Sequence, residues 1–152
     1  MKIDIKKLGK RDIAKFNELI WVFEDVFEMD PTSRDEKPSD EYLNQLLRKK
    51  SFFVFVAIIN QKVVGGLTAY TLQQYYSISP LVYLYDLAVA SEFQRQGIGK
   101  MLISSLLNYC KGIGIEEVFV QADEIDSHAI DFYHSTGGIG EKCVNFNYPL
   151  KT

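Results

Sequence analysis

Apolar residues recur along this chain with two different periods, and each period predicts a different kind of element. A spacing of three to four residues, typical of amphipathic helices, occurs in four segments: Lys10–Met29, Glu41–Lys49, Gly97–Cys110 and Ser127–Ser135. In the first helix, Trp21 and the phenylalanines fall at core spacing, so we expect them to be packed. Asp30-Pro31-Thr32-Ser33 ends this helix, and Ser39 or Asp40 can cap the second.

Segments rich in β-branched and aromatic residues predict six strands: Lys2–Leu8, Ser51–Ile59, Lys62–Leu72, Leu81–Ala90, Glu117–Ala122 and Cys143–Tyr148. The predicted order is β-α-α-β-β-β-α-β-α-β. A meander of strands followed by a β-α-β crossover makes a mixed central sheet flanked by helices, so the fold class is α/β or α+β. With 152 residues and no internal repeat, the chain is expected to form one domain, 1–152.

Composition and charge exclude several classes of protein. Seventeen Lys and Arg against twenty Asp and Glu give a net charge of −3, which disfavours a nucleic-acid partner and leaves a cationic one open. Cys110 and Cys143 lack metal-ligand spacing, so we expect neither a metal site nor a disulfide. The longest apolar run, Val54–Ile59, is far shorter than the roughly 20 residues that span a bilayer. Since Met1–Lys7 also lacks an apolar signal core, we expect a soluble, cytoplasmic protein that is not membrane-bound.

A glycine-containing loop joins the fourth predicted strand to the third helix. Its sequence is Gln94-Arg95-Gln96-Gly97-Ile98-Gly99-Lys100, which is Gln-x-x-Gly-x-Gly followed by an apolar helix. Glycines let backbone N–H groups approach a ligand closely, and a helix N-terminus adds free donors and the positive end of a dipole. The pattern therefore favours phosphate binding, although a glycine pair before a helix also occurs as plain turn chemistry. It differs from both standard nucleotide fingerprints.

This loop resembles the acetyl-CoA motif of the GNAT superfamily of N-acetyltransferases, Arg/Gln-x-x-Gly-x-Gly/Ala after a hydrophobic strand. A second GNAT element, Asn-x-x-Ala-x-x-Phe-Tyr, is similar to Asp126–Tyr133, in which Ala129, Phe132 and Tyr133 match and Asp126 replaces the asparagine. The two motifs occur in the family's order. The resemblance implies a GNAT fold, with a splayed pair of parallel strands formed by Leu81–Ala90 and Glu117–Ala122.

Four further stretches are similar to the aminoglycoside 3-N-acetyltransferase family: Ser39–Arg48, Val63–Tyr70, Tyr83–Val89 and Val120–Asp123. Asp126 in place of asparagine is also similar to that family. The resemblance covers roughly residues 38 to 148. It implies that acetyl-CoA acetylates the 3-amino group of the deoxystreptamine ring in gentamicin-type antibiotics, which confers resistance. It also implies a homodimer and a cationic small-molecule amine as the partner.

The resemblance assigns roles to particular residues. It implies that the acetyl-CoA site is formed by the strand and loop residues Leu87, Ala88, Val89, Gln94, Arg95, Gln96, Gly97, Ile98, Gly99 and Lys100. Tyr133 matches the family's general acid, and a phenol with a pKa of about 10 suits protonation of a thiolate whose pKa is about 8.5. Asp86 lies in an otherwise apolar strand, where a carboxylate is costly to bury unless it is partnered. It is the candidate that orients or deprotonates the acceptor ammonium, or it forms a structural hydrogen bond.

Acidic residues supply the candidates for acceptor binding: Asp86, Asp123, Glu124, Asp126, Asp35 and Glu36. Asp123 is also the second candidate for the general base. Nine of the twenty acidic residues lie between Glu18 and Glu41, and such a concentration of charge would attract a polycation. A solvated helix face explains the same charges equally well. Tyr70, Tyr75 and Tyr76 are candidates for lining the acceptor cleft.

Other functions remain open at the level of sequence. A GNAT enzyme acting on a polyamine, an amino sugar or a protein amine would have the same motifs and the same acidic region. A non-catalytic sensor that binds acyl-CoA would need the loop but not Tyr133 and Asp86, so the presence of both residues argues against it.

Overall fold

The structure, a computed structural model, describes residues 1–30, 32 and 37–151. The chain divides into two compact units, Met1–Gln121 and the segment that begins at Ala122. Among the described residues, no helix is long and apolar enough to span a membrane.

The described residues of the first unit form five strands and three α-helices. In chain order they are β1 (Asp4–Lys7), α1 (Ile13–Val26), α2 (Asp40–Arg48), β2 (Phe52–Ile59), β3 (Lys62–Leu72), β4 (Leu81–Val89), α3 (Ile98–Gly112) and β5 (Glu117–Val120). The strands form one sheet in the order β1-β2-β3-β4-β5. The first four pair antiparallel and β4 pairs parallel with β5, so the predicted mixed sheet and α/β fold class are confirmed.

The two faces of this sheet are covered by different helices. On one face, Phe16, Leu19 and Phe23 of α1 and Leu43 and Leu47 of α2 form a buried cluster with strand residues that include Phe52 and Val54. On the other face, Tyr109 of α3 makes edge contacts with the rings of Phe53 and Phe55. Alternate residues of β2 therefore enter two separate cores, as the period of a strand requires.

Glycine at position 66 allows α1 to approach the sheet closely. A Cβ added there would lie 2.5 Å from the carbonyl oxygen of Phe55 and 2.6 Å from Cδ1 of Leu19. Neither distance is tolerable, so Leu19 can be fully buried against β3 only because residue 66 has no side chain.

The first helix is shorter at both ends than the periodicity predicts. The carboxylate of Asp12 accepts a 2.8 Å hydrogen bond from the backbone N–H of Gly9 and pairs with Lys6, which holds residues 9–12 in a turn. At the other end, Glu28 has a φ of 52°, which is incompatible with a continuing helix. The prediction that Trp21 is packed is wrong, because its side chain is 62% exposed.

The second unit contains one helix, α4 (Ser127–Ser135), with the predicted bounds. The expected strand at Cys143–Tyr148 is wrong: these residues are exposed and form no ladder with any described strand. Val144, Phe146 and Tyr148 alternate with polar residues, which is the pattern of a strand with one apolar face. The pattern alone does not form a strand, because a strand also requires a neighbouring edge for its backbone hydrogen bonds.

Candidate active site

A β-bulge in β4 determines the direction in which Asp86 points. Thr68 of β3 lies opposite Asp86 and the next residue, Ala69, lies opposite Leu84, so Tyr85 is an extra residue in β4. If β4 alternated regularly through Tyr85, without a bulge, Asp86 would share the face of Leu84, which is the face covered by α3. The bulge places Asp86 on the α1 and α2 face, together with Tyr83 and Tyr70.

Asp86 is a half-buried carboxylate without a cationic partner. It forms no ion pair with any described residue, and burial raises the pKa of its carboxyl above the ordinary value. Burial also raises the pKa values of the Tyr70 and Tyr83 phenols, and the nearby Tyr85 and Asp86 raise them further. A carboxylate in this setting would be stabilised by a cation, such as the ammonium group of a ligand.

The two parallel strands separate next to Asp86. Pairing between β4 and β5 runs from Leu81 opposite Glu117 to Leu84 opposite Val120 and stops there, whereas β4 continues to Val89. Backbone groups of Tyr85–Val89 on that side have no strand partner among the described residues. The splayed strand pair implied by the family resemblance is therefore present, and Leu87, Ala88 and Val89 lie in its open part.

The loop after β4 leads into the N-terminus of α3. Gly97 has a φ of 81°, the left-handed conformation that glycine adopts without cost, and it is the N-cap of α3. No side chain caps this helix, so the backbone N–H groups of its first turn, at Ile98, Gly99 and Lys100, are available to an anion. The side chain of Gln94 donates a 2.9 Å hydrogen bond to the carbonyl oxygen of Val89, which ties the loop to the end of β4. Arg95 also has a positive φ, 62°.

The remaining sequence candidates belong to the second unit. Asp126 is the N-cap of α4, and its carboxylate accepts a 3.0 Å hydrogen bond from the backbone N–H of Ala129. Aspartate can replace the family's asparagine there because both side chains cap helices equally well. Tyr133 is partly buried, and its ring lies 5.2 Å from that of Phe132. Asp123 and Glu124 are exposed. Roles in binding or catalysis stay predictions for Asp123, Glu124, Asp126 and Tyr133.

The described acidic residues between Glu18 and Glu41 differ in their surroundings, and a shared role in binding a cation stays a prediction. Glu18 pairs with Lys15 at 3.2 Å and accepts a hydrogen bond from the backbone N–H of Val63, so its charge serves the fold. Asp40 accepts a hydrogen bond from Asn17. Four acidic residues line a depression of about 700 Å³ together with Trp21 and Met29: Glu24, Asp25, Glu28 and Asp30. Asp35 and Glu36 lie outside the described residues.

Tyrosines around Asp86 are site residues that sequence reasoning largely missed. The rings of Tyr70 and Tyr85 meet edge to face at 5.7 Å, and so do those of Tyr83 and Tyr85. Tyr83 stacks on Phe119 at 4.8 Å and donates a hydrogen bond to Gln121. Tyr70 was a candidate, but Tyr75 and Tyr76 lie in the exposed loop before β4. The run Tyr83-Leu84-Tyr85-Asp86 was the available signal, because alternate tyrosines on one strand share a face.

Comparison with known proteins places this architecture in a family. The Acetyltransferase (GNAT) family profile matches residues 16–137. An aminoglycoside acetyltransferase from an uncultured soil metagenomic sample, crystallised in complex with sisomicin, is 49% identical with a TM-score of 0.93, and the match covers 98% of this chain and 97% of that chain. A second aminoglycoside acetyltransferase from an uncultured soil metagenomic sample is 31% identical with a TM-score of 0.92, covering 99% of this chain and 100% of that chain.

Human N-acetyltransferase 8 is 32% identical over 99 residues, which are 65% of this chain and 43% of that protein. The chain thus spans less than half the length of this curated relative. Because the family profile covers most of the sequence, the chain belongs to the GNAT acetyltransferase family. Its members share the mixed sheet with a splayed strand pair that the first unit contains.

Proposed function

We propose that this protein transfers the acetyl group of acetyl-CoA to a primary amine of a cationic small molecule. The 3-amino group of the deoxystreptamine ring in gentamicin-type aminoglycosides is the specific acceptor that we propose. Two aminoglycoside acetyltransferases of similar length and fold, one of them crystallised with sisomicin, support this substrate class. The resemblance to the 3-N-acetyltransferase family supports the 3-amino position, a role in resistance and a homodimer.

The observation that carries the proposal is Asp86. Its carboxylate is half-buried, lacks a cationic partner among the described residues and lies beside the open part of the β4–β5 pair. An unpaired charge in such a place is unfavourable for the free protein. In a complex, an ammonium group of the ligand would pair with the carboxylate and offset this cost. The acceptor amine would therefore be held next to the strand that supplies the donor site.

The residues of the donor site fit acetyl-CoA. The first turn of α3 offers uncapped backbone N–H groups to a pyrophosphate, and Gly97 keeps the approach to them clear, since nothing lies within 4 Å of the position a Cβ would occupy. Arg95 and Lys100 supply positive charge. The unpaired edge of β4 at Leu87–Val89 can hydrogen-bond to amide groups of the pantetheine arm, as an additional strand would. Acetyl-CoA supplies the activated acetyl group.

The reaction then requires positioning and movement of protons. The ammonium group must lose a proton before its nitrogen can attack, and Asp86, with its raised pKa, is the residue that we assign to accept it. The nitrogen forms a bond to the acetyl carbon while the bond from that carbon to sulfur breaks, and the nitrogen then releases a second proton to become the amide. We assign Tyr133 to protonate the departing thiolate, by its match to the family motif, and the second proton from the nitrogen restores the phenol through solvent. Neither role requires a protein nucleophile, so catalysis depends mainly on orientation.

An assay of thiol release tests the proposal directly. The protein is incubated with acetyl-CoA and gentamicin, sisomicin, kanamycin or spermidine, and the products are mapped by mass spectrometry and NMR. We expect turnover of gentamicin and sisomicin with the acetyl group on the 3-amino nitrogen. Turnover of spermidine alone would reassign the acceptor to a polyamine. Binding of acetyl-CoA without transfer to any amine in the panel would contradict the proposed activity and favour a sensor.

A further inference from the structure

The tyrosines around Asp86 form a surface that the chemistry of acetyl transfer does not require. Tyr85 is 57% exposed although it is a large aromatic side chain in the middle of a strand. Its ring is held between those of Tyr70 and Tyr83, which contact it at 5.7 Å with interplanar angles of 90° and 84°. The ring is therefore both accessible and fixed in orientation, which lowers the entropic cost of binding a ligand.

The tyrosine cluster of Tyr70, Tyr83 and Tyr85 is held in place at both ends by neighbouring residues. Tyr70 packs on Phe52 of the buried core at 5.0 Å. Tyr83 stacks on Phe119 and is anchored by its hydrogen bond to Gln121. Tyr85 is the extra residue of the β4 bulge, and this break in the alternation places the neighbouring Asp86 on the same face as the tyrosines.

Aromatic rings on the opposite face show what this cluster lacks. There, Nζ of Lys7 lies 5.7 Å from the ring centre of Phe53 and 5.1 Å from that of Tyr109, so the protein supplies its own cation. Within the described part of the chain, no Lys or Arg lies over Tyr70, Tyr83 or Tyr85 in this way. The tyrosine cluster is electron-rich, has a carboxylate beside it and is open to a cation from outside.

We propose that Tyr85, supported by Tyr70 and Tyr83, is a cation–π subsite for a second ammonium group of the acceptor, while Asp86 holds the amine that is acetylated. The inference rests on the proposed function and narrows it. The preferred substrates are amines that carry a second cationic amine a few bonds away, as aminocyclitols and polyamines do. The face of the Tyr85 ring attracts the positive charge of this second ammonium group, and the phenol hydroxyl is not required for binding it.

Two small acceptors of nearly equal shape distinguish the contribution of positive charge to binding from the contribution of contact area. 1,3-Diaminopropane carries a second ammonium group, whereas 3-amino-1-propanol carries a neutral hydroxyl in its place. The affinity of each is measured by NMR titration and its KM by thiol release, on the wild-type protein and on Tyr85→Leu, Tyr85→Phe and Tyr148→Leu. Tyr148 is the matched control, because it is a tyrosine that is 85% exposed and has no proposed role in binding.

We expect the wild-type protein to bind the diamine more tightly than the amino alcohol. Tyr85→Leu should weaken diamine binding by about 2- to 30-fold, the range of cation–π contributions from exposed to desolvated sites, and change amino alcohol binding by less than about 2-fold. Tyr85→Phe and Tyr148→Leu should behave as wild type. Circular dichroism and Tm establish that each variant is folded.

Three results would overturn the subsite. They are equal wild-type affinities for the two ligands, an equal loss for both in Tyr85→Leu, and a loss in Tyr85→Phe as large as that in Tyr85→Leu. The last would show that the hydroxyl group, and not the ring, binds the ligand. If selective diamine binding is present but no amine is acetylated, the proposed activity fails and the subsite stands.

Discussion

The two faces of the sheet in Met1–Gln121 use the same kinds of residue for opposite purposes. On the α3 face, Phe53 and Phe55 each contact Tyr109, and Lys7 lies over the rings of Phe53 and Tyr109. On the α1 and α2 face, the rings of Tyr83 and Tyr85 lie near Asp86, which has no cationic partner among the described residues. We call the first the complete face, because its aromatic cluster has a cation from the protein itself, and the second the incomplete face, because its aromatic cluster and carboxylate have none.

This difference shows how a fold separates stability from binding. Every polar or charged group that meets a partner inside the protein contributes to folding, and a group that does not is available to a ligand at some cost to the free protein. Cys110 illustrates the complete face: it is buried on α3, and burial raises the pKa of its thiol to about 11, so it remains an inert neutral group. Asp86 illustrates the incomplete one.

The largest effect is expected from a cavity on the complete face. Leu106 of α3 is fully buried, and Leu106→Ala should lower the free energy of unfolding by about 2 to 5 kcal/mol. The adjacent Leu107 is 43% exposed, so Leu107→Ala on the same helix is the matched control and should cost less than about 1 kcal/mol. Urea unfolding followed by circular dichroism measures both. Equal losses would mean that α3 does not seal this face as described.

The next effect should appear in activity, on the incomplete face. Asp86→Asn removes the proposed proton acceptor while keeping shape, and we expect kcat/KM for the amine to fall about 100-fold or more, with an unchanged Kd for acetyl-CoA. Asp4→Asn makes the same chemical change on an exposed residue of β1, the opposite edge strand of the sheet, and should have no effect. Wild-type kinetics in Asp86→Asn would assign this carboxylate a purely structural role.

A smaller effect is expected at Gly97, the N-cap of α3. Gly97→Ala places a side chain at a φ of 81°, which should cost about 1 to 2 kcal/mol of stability or shift the loop and weaken CoA binding. Gly112→Ala, at the other end of the same helix, meets no atom within 4 Å and needs no positive φ. Calorimetric titration with CoA and urea unfolding should distinguish the two variants; identical behaviour would exclude a special role for the Gly97 conformation.

The smallest effect concerns the cost of keeping Asp86 unpaired. Because its folded-state pKa is raised, the folded protein binds a proton more readily than the unfolded chain, so ionisation of Asp86 lowers stability as the pH rises through that pKa. Asp86→Asn should therefore raise Tm at pH 7, because asparagine is neutral and avoids the cost of the half-buried, unpaired charge. At a pH below the ordinary aspartate pKa, the difference should vanish. A lower Tm at pH 7 would indicate that the carboxylate has a stabilising partner.

Much of the fold follows from local patterns. The β-branched and aromatic residues of Lys62–Leu72 predict a strand with the bounds of β3, and the bounds predicted for the helix Ser127–Ser135 match α4. These elements are predictable because the composition and spacing within each segment suffice. Predictions failed where a second segment decides the outcome: Trp21 has a core position by spacing but is exposed among the described residues, and Cys143–Tyr148 has a strand pattern but pairs with no described strand.

The sequence by itself determined the order of elements from β1 to α4, the glycine loop before α3 and the motif residues that indicate a GNAT acetyltransferase. All of these are properties of neighbouring residues. Only the tertiary structure decided which residues share a surface. A break in the regular alternation of β4 at Tyr85, recognisable only by its register against β3, places Asp86 with three tyrosines from two strands instead of with the core under α3. Pairing register is a property of two segments at once, so neither segment alone could reveal it.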